Sequence, residues 1–450
     1  MTAVHDLVCV GIGPFGLGLA ALADPLPDVD AVFLDQAAGF HWHPGMMIDG
    51  ATIQVPFLAD LVTMADPTSR YSFLAFLKAT GRLYPFYIRE SFYPLRAEYD
   101  EYCRWVAAQL PSLRWGRRVV AVEEEGDLLA VRAEVLDAAG AVTGVETHRA
   151  RHVVLAVGTK PVLPATIRDL PADGHPVVHS ADYLPHRDAL VASGAVTVVG
   201  SGQSAAEVYR DLLETGVRVD WVTRSPRFFP MEYTKLTLEM TSPEYTDHYR
   251  ALPGALRERL AREQRGLYKG ISGDLVDDIY DTLYRLSVGG SPVPTTLLTD
   301  TEVVAARRDA ATGDTVLELH HAQLDRRHEH RTRAVVAATG YRAATPPFLA
   351  PVAHRVRVDD LGRLDVSRDY AVDDAHRIHV LNGEEHTHGV TAPDLGFGPW
   401  RASVVLAAVT GREPYAIERR IAFQTFGLPD TAPEGAPEDD PADLLLEAAR

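Results

Sequence analysis

The sequence predicts an α/β fold built from two Rossmann-like dinucleotide-binding units, one inserted into the other, with a helical segment inserted after the second. A glycine-rich turn joins an apolar strand to a small-residue helix near residue 11, and the same arrangement recurs near residue 200. Two further apolar strands end in glycine, at Gly158 and Gly340.

The first unit is expected as a strand over 7–10, a helix over 17–23 and a strand over 31–34. Its turn, GIGPFG, carries Gly11, Gly13 and Gly16. Gly11 permits the tight turn, Gly13 lets a pyrophosphate approach the backbone, and Gly16 lets helix and strand pack closely. The helix N-terminus then faces the anion. The second unit is expected as a strand over 196–199, a helix over 205–213 and a strand over 217–222. Its turn, GSGQSA, carries Gly200, Gly202 and Ala205, and alanine is tolerated at the third position.

The strand end after each turn tells the two sites apart. Asp35 lies 24 positions after Gly11, and Arg224 lies 24 positions after Gly200, so the two positions are read as equivalent. A carboxylate accepts hydrogen bonds from a free ribose 2′-OH, whereas arginine pairs with a 2′-phosphate. The first site is therefore expected to hold FAD and the second to prefer NADPH to NADH. The chain then reads as a two-dinucleotide flavoprotein, with Gly158 and Gly340 where it crosses between domains. The expected layout is an FAD-binding domain over 1–165 and 335–428 and an NADPH-binding domain over 166–224 and 291–334. A helical substrate segment covers 225–290, and a disordered tail covers 429–450.

Length and composition bound the rest. A chain of 450 residues holds two or three domains. No run of 18 apolar residues occurs, and the first six residues lack the marks of a secretory leader. Cys9 and Cys103 are the two cysteines, far apart, which excludes a dithiol mechanism and a zinc site and fits a cytoplasmic protein. A net charge of −18 argues against nucleic acid and anionic membranes as partners. It suits a small cationic substrate.

Many segments, in order along nearly the whole chain, resemble the bacterial N-hydroxylating flavin monooxygenases of siderophore biosynthesis, which act on lysine, ornithine or diamines. They include GIGPFGLGLA, FHWHPGMMI, IQVPFLADLVTMADPTSRYSFLAFL, VVGSGQSAAEVY, TSPEY, ATGY and HTHGVTAPDLGFGPWRAS. The resemblance implies reduction of FAD by NADPH, reaction with O2 as co-substrate, and oxygen transfer to a neutral amine through a C4a-hydroperoxyflavin. No nucleophilic side chain or catalytic triad is then expected. It also implies site residues. Trp42 and His43 line the flavin, and Gln54 sits near flavin and nicotinamide. Gln203 and Ser204 approach the NADPH phosphates, and Arg224 contacts NADPH. Gly340 lies at a crossing beside a cofactor. His388 begins the C-terminal motif that passes flavin and substrate, and with Gln54 it forms the catalytic pair; His386 is read as structural. Assembly as a dimer or tetramer is implied too.

The substrate is read from a departure. The amino-acid hydroxylases of this family carry a lysine for the substrate carboxylate five positions after the equivalent of Gln54; here that position is Ala59. The ornithine enzymes place an asparagine where Leu238 aligns. An enclosed carboxylate without a partner costs several kcal/mol, so both departures point to a substrate lacking one: cadaverine or putrescine. Glu239 is the leading candidate for its second ammonium, with Glu232 and Tyr233 beside it. The alternative is a lysine N6-monooxygenase in which Lys235 or Lys269 binds the carboxylate. More distant is a Baeyer–Villiger or sulfur-oxidising flavin monooxygenase. Those enzymes show an FxGxxxHxxxW run, and DGHPVVHSADY has the wrong spacing for it.

Overall fold

The computed structural model describes residues 4–171, 174–290 and 292–428, and the tail expected over 429–450 lies outside them. Two sheets with parallel centres carry the two units. In the first, Val4–Val10 pairs in parallel with Ala31–Leu34 on one side and Val142–Leu155 on the other. Leu7, Val8 and Cys9 are wholly buried. A strand covered on both faces needs no polar alternation, which explains the unbroken apolar run. The helix Pro14–Ala23 lies against this sheet. Proline suits its first turn, where no N–H is needed. Gly18 brings the helix against the loop after Gln54, since a Cβ there would stand 2.9 Å from the Leu61 carbonyl oxygen.

The first domain closes with the far end of the chain. Ile378–Val380 pairs in parallel with Val142–Leu155, and the helix Gly398–Thr410 packs against Pro14–Ala23. The second sheet runs Thr295–Leu298, Arg218–Val222, Ala195–Val199, Ala334–Ala337, Val177–His179. Ala334–Ala337 is thus an inner strand of the second domain, buried throughout. The return to the first domain falls after Ala337, not at 335 as expected. Lys160–Pro161 pairs antiparallel with Tyr341–Arg342, so the two crossings run side by side just past Gly158 and Gly340.

The segment 225–290 is helical as expected, with Lys235–Leu238, Pro243–Ala251, Gly254–Glu263 and Gly273–Ser287. Antiparallel strands extend the first sheet (Arg117–Glu125, Leu128–Leu136), and Thr301–Arg308, Thr315–His321 and Arg326–Thr332 form a sheet of their own.

One buried ion pair ties three regions together. Arg96 begins the helix Arg96–Ala107 of the first domain; Glu207 lies on Gln203–Glu214 of the second. Their paired bonds measure 2.6 and 2.8 Å, and Arg96 Nη1 also donates to the Met46 carbonyl oxygen at 2.6 Å. Glu207 Oε1 accepts from Gln203 Nε2 at 3.0 Å, and Gln203 Oε1 accepts from the Ser272 N–H of the helical segment at 2.8 Å. Removing one partner strands a buried charge. Glu207→Ala is expected to lower stability by about 3–5 kcal/mol, and the apolar pair Arg96→Met with Glu207→Leu to regain most of it. Urea denaturation of the three proteins measures both effects.

Candidate active site

The two glycine turns share one design. Gly11 has φ +104°, and a Cβ on it would lie 2.3 Å from the Ala156 carbonyl oxygen. A Cβ on Gly200 would lie 2.3 Å from the carbonyl oxygen of Ala338. Ala156 and Ala338 each stand two residues before a crossing glycine, so each turn is pinched by its neighbouring crossing. A Cβ on Gly16 would lie 2.1 Å from Gly11 O, whereas one on Gly13 meets nothing within 4 Å. The backbone at Gly13 is therefore open to a pyrophosphate, and the turn suits a dinucleotide. Gly202 is more enclosed, its Cβ position lying 3.1 Å from Lys269 O. Ala205 is fully buried where the third glycine would stand.

Asp35 accepts from the Ile12 N–H at 2.7 Å and the Ala37 N–H at 2.9 Å, which fixes its carboxylate at the mouth of the first turn. The register corrects its pairing with Arg224. Gly11 N–H bonds Leu34 O, and Gly200 N–H bonds Val222 O. Asp35 therefore corresponds to buried Thr223, and Arg224 is one residue further on. Equal spacing hid the offset because the second unit reaches its strand end in one residue fewer. Arg224 itself is 67% exposed, with a Glu302 carboxylate oxygen 4.0 Å away.

Trp42 and His43 lie side by side near Tyr341, just past the crossing at Gly340. The Trp42 N–H donates to Asp100 Oδ1 at 2.7 Å, and its ring lies 5.0 Å from Tyr99 and 5.2 Å from His43. His43 has φ +46° and meets Tyr341 edge-on at 5.9 Å. Solvent reaches its ring, yet crowding protein and the Arg96 charge lower its pKa to about 4, so it is neutral at pH 7. Gly45, three residues before Ile48, allows this loop to dock on the second domain, since a Cβ would overlap Ala181 O at 1.8 Å. Gln54 Nε2 donates to Thr52 O at 3.0 Å.

Other expected residues stand elsewhere. Both ends of the Gln203 amide are engaged by Glu207 and Ser272, which leaves its backbone N–H, with half-buried Ser204, for a phosphate. His388 is wholly enclosed, so no surface of it faces a flavin or an amine, and its expected catalytic role is corrected to packing. It stacks on Tyr370 at 4.7 Å and 25°. Thr387 Oγ1 gives its proton to Glu384 O, so His388 Nδ1 must donate to Thr387 Oγ1 at 2.9 Å. Burial first, then Arg250, pushes its pKa well below the usual imidazole value. His386 bonds Leu364 O at 2.8 Å, a structural role as expected. Glu384 and Arg401, both fully buried, pair at 2.5 Å beneath the first turn, with the guanidinium 4.2 Å from the Phe15 ring.

The substrate candidates divide. Ala59 is buried, facing Gly396 of the C-terminal motif at 3.4 Å from the Cβ position there. Leu238 is 48% exposed. Glu239 accepts from the Phe423 and Gln424 N–H groups, each at 3.0 Å, so it fastens the segment 421–424 on the outside. Its expected place at the substrate ammonium is corrected: two backbone donors turn it outward. Glu232 is exposed, while the Tyr233 hydroxyl is buried with no hydrogen-bond partner among the described residues. Lys269 is held by Glu385 at 2.5 Å, and Lys235 is exposed. No group of three or more potential metal ligands occurs among the described residues.

A family model described as L-lysine 6-monooxygenase/L-ornithine 5-monooxygenase matches residues 3–343. The chain is 44% identical to a putrescine N-hydroxylase of Shewanella oneidensis, over 94% of this chain and 84% of that one. Among solved structures it resembles DfoA bound to FAD, the cadaverine monooxygenase of Erwinia amylovora. The TM-score is 0.90 and the identity 44%, over 95% of this chain and 99% of that one. It also resembles the ornithine N-hydroxylase of Kutzneria sp. 744 with reduced FAD, NADP+ and L-ornithine, at TM-score 0.82 and 28% identity over 91% and 99%.

In Arg224→Ala, KM for NADPH is expected to rise about tenfold, with KM for NADH changed less than about twofold. Steady-state kinetics with both cofactors decide it, and unchanged discrimination removes Arg224 from this role. His388 gives a pH prediction. Its folded pKa lies below the unfolded value of about 6.5, so its contribution to stability is present above that pH and lost as pH falls. His388→Asn, which keeps an N–H for Thr387, is expected to flatten the fall in Tm between pH 7 and pH 5. Differential scanning calorimetry at both pH values measures it.

Proposed function

This chain belongs to the L-lysine 6-monooxygenase/L-ornithine 5-monooxygenase family, and from that premise we propose that its own substrate is an aliphatic diamine, cadaverine or putrescine, hydroxylated on one terminal nitrogen. The enzyme is an FAD- and NADPH-dependent N-monooxygenase that uses O2. When bound, FAD and NADPH supply the reducing equivalents and the activated oxygen.

The residues of the chain do the rest. Gly11, Gly13 and Gly16 admit the pyrophosphate to the backbone, and Asp35 stands ready for the ribose of FAD. Arg224 supplies the charge for a 2′-phosphate. A reacting amine must carry a lone pair, so its ordinary pKa of about 10.4 has to be overcome. Trp42 and Tyr341 flank His43, which is neutral at pH 7 and adds no cation. Such surroundings disfavour the ammonium form at the reacting end. Gln54, with its amide nitrogen bonded to Thr52, can offer its carbonyl oxygen to an N–H group.

The observation that carries the diamine reading is Ala59, a buried methyl group where the family resemblance implies a lysine. Lys269, the strongest replacement for that lysine, is already paired with Glu385. The higher identity to the putrescine and cadaverine enzymes than to the ornithine enzyme points the same way. The product suits hydroxamate siderophore assembly; the cadaverine enzyme belongs to desferrioxamine biosynthesis, and a further relative is a rhizobactin siderophore biosynthesis protein. The oligomer expected above has support in the helix Leu83–Ile88, where Tyr84, Tyr87 and Ile88 are each over 70% exposed. Light scattering reads its size. Hydroxylamine formation with cadaverine, putrescine, lysine and ornithine tests the substrate. The expected order of kcat/KM places a diamine first, and a value for lysine above both diamines overturns the proposal.

A further inference from the structure

We infer that Asp394 receives the far ammonium of the diamine and sets the preference for diamines over amino acids. This rests on the substrate reading above and adds the group that enforces it. Asp394 lies in the C-terminal motif, four residues before Gly398, whose Cβ position is 3.2 Å from the Phe15 ring at the first glycine turn. That places the motif at the flavin end of the molecule. A single point joins Asp394 to Ala59: a Cβ built on Gly396 would lie 3.1 Å from Asp394 Oδ1 and 3.4 Å from Ala59 Cβ. The carboxylate and the methyl group are therefore neighbours across Gly396, where the lack of a side chain lets them approach.

The Asp394 side chain has no cationic partner among the described residues. Its Oδ1 accepts from the Phe397 N–H at 2.8 Å, and the Gly396 N–H is also turned toward it. Arg401, the nearby cation, is paired with Glu384 and reaches only the main-chain oxygen of Asp394, at 3.3 Å. Enclosure raises its carboxyl pKa, although the residue is half-buried rather than sealed. Such a group gains from an incoming cation and repels an incoming carboxylate.

Several other acids are committed to partners of their own, and Glu232 is exposed. Asp60, next to Ala59, is saturated by the Val62, Thr63 and Phe73 N–H groups and the Thr63 hydroxyl. Glu384 holds Arg401, Glu385 holds Lys269 and Tyr268, and Glu239 and Glu244 hold the segment 421–424. Where an amino-acid substrate would need a positive group, this chain offers a methyl and a carboxylate. The charge of the subsite is inverted.

The test compares diamines with monoamines of the same length, which carry no second ammonium. In the FAD-loaded enzyme, kcat/KM is measured for cadaverine against pentylamine and for putrescine against butylamine, with Kd values by calorimetry. In Asp394→Asn the diamine-to-monoamine ratio is expected to fall about tenfold or more, the worth of one charge-assisted bond. A ratio within about twofold of the wild type overturns the inference, because a purely structural role would lower both amines together. Ala59→Lys, which leaves Asp394 in place and sets an ammonium beside it, gives a second reading. There the cadaverine-to-lysine ratio should fall by at least a similar factor, and an unchanged ratio counts against Asp394 even if Asp394→Asn does not fold. A wild-type enzyme that prefers lysine would instead defeat the diamine reading itself, before any variant is made.

Discussion

The Arg96–Glu207 pair is the interaction on which the working geometry depends. It joins two domains that the chain connects only through the crossings near Gly158 and Gly340. One guanidinium holds the carboxylate of the second domain and the Met46 carbonyl of the loop that carries Trp42 and His43. Through Gln203 the same carboxylate fixes Ser272 at the start of the helix Gly273–Ser287. The loop of Trp42 and His43, the second-turn helix and the helical segment thus share one electrostatic anchor. A bidentate pair in a dry interface is directional, so it sets orientation as well as proximity. Two bound dinucleotides must meet at their reactive ends, and that demands orientation.

The two glycine turns show how little freedom remains once the domains are docked. Each is pressed by a carbonyl of its own crossing strand, Ala156 or Ala338, at a distance that admits no side chain. The crossings then pair with each other through Lys160–Pro161 and Tyr341–Arg342. The backbone of each glycine turn is therefore built into the connection between the domains.

Much of this was legible in the sequence because it is local. Strand, turn and helix of each unit follow one another within forty residues, and unbroken apolar runs such as LVCV mark strands buried on both faces. The glycines at 11, 16 and 200 were readable because no other residue fits. Pairings between distant residues were not. Arg96 and Glu207 are separated by 111 residues, and nothing near either marks it among the charged residues of the chain. The count of 24 after each turn suggested equivalence of Asp35 and Arg224, but the connection lengths differ and only strand register shows the offset. His388 sits in a polar motif that reads as chemistry, and its complete burial is a property of the packing around Tyr370. Glu239 looked like a substrate acid until its two oxygens were found on the backbone of 423 and 424. The antiparallel strands carry apolar runs of their own, VVAV at 119–122 and LLAV at 128–131, but no glycine-rich turn marks their place in a sheet.

The first domain is assembled from the two ends of the chain, and this sets an order in time. During synthesis the second domain is complete once Tyr341 has emerged, while the first still lacks Ile378–Val380, the Glu384–Arg401 pair and the helix Gly398–Thr410. Its central strand Val142–Leu155 must wait with one edge uncovered, and the helix at the first glycine turn must wait for its partner. The inserted domain folds as a unit meanwhile. The strands of the inserted domain are therefore complete before the strand and helix that close the sheet behind the first glycine turn.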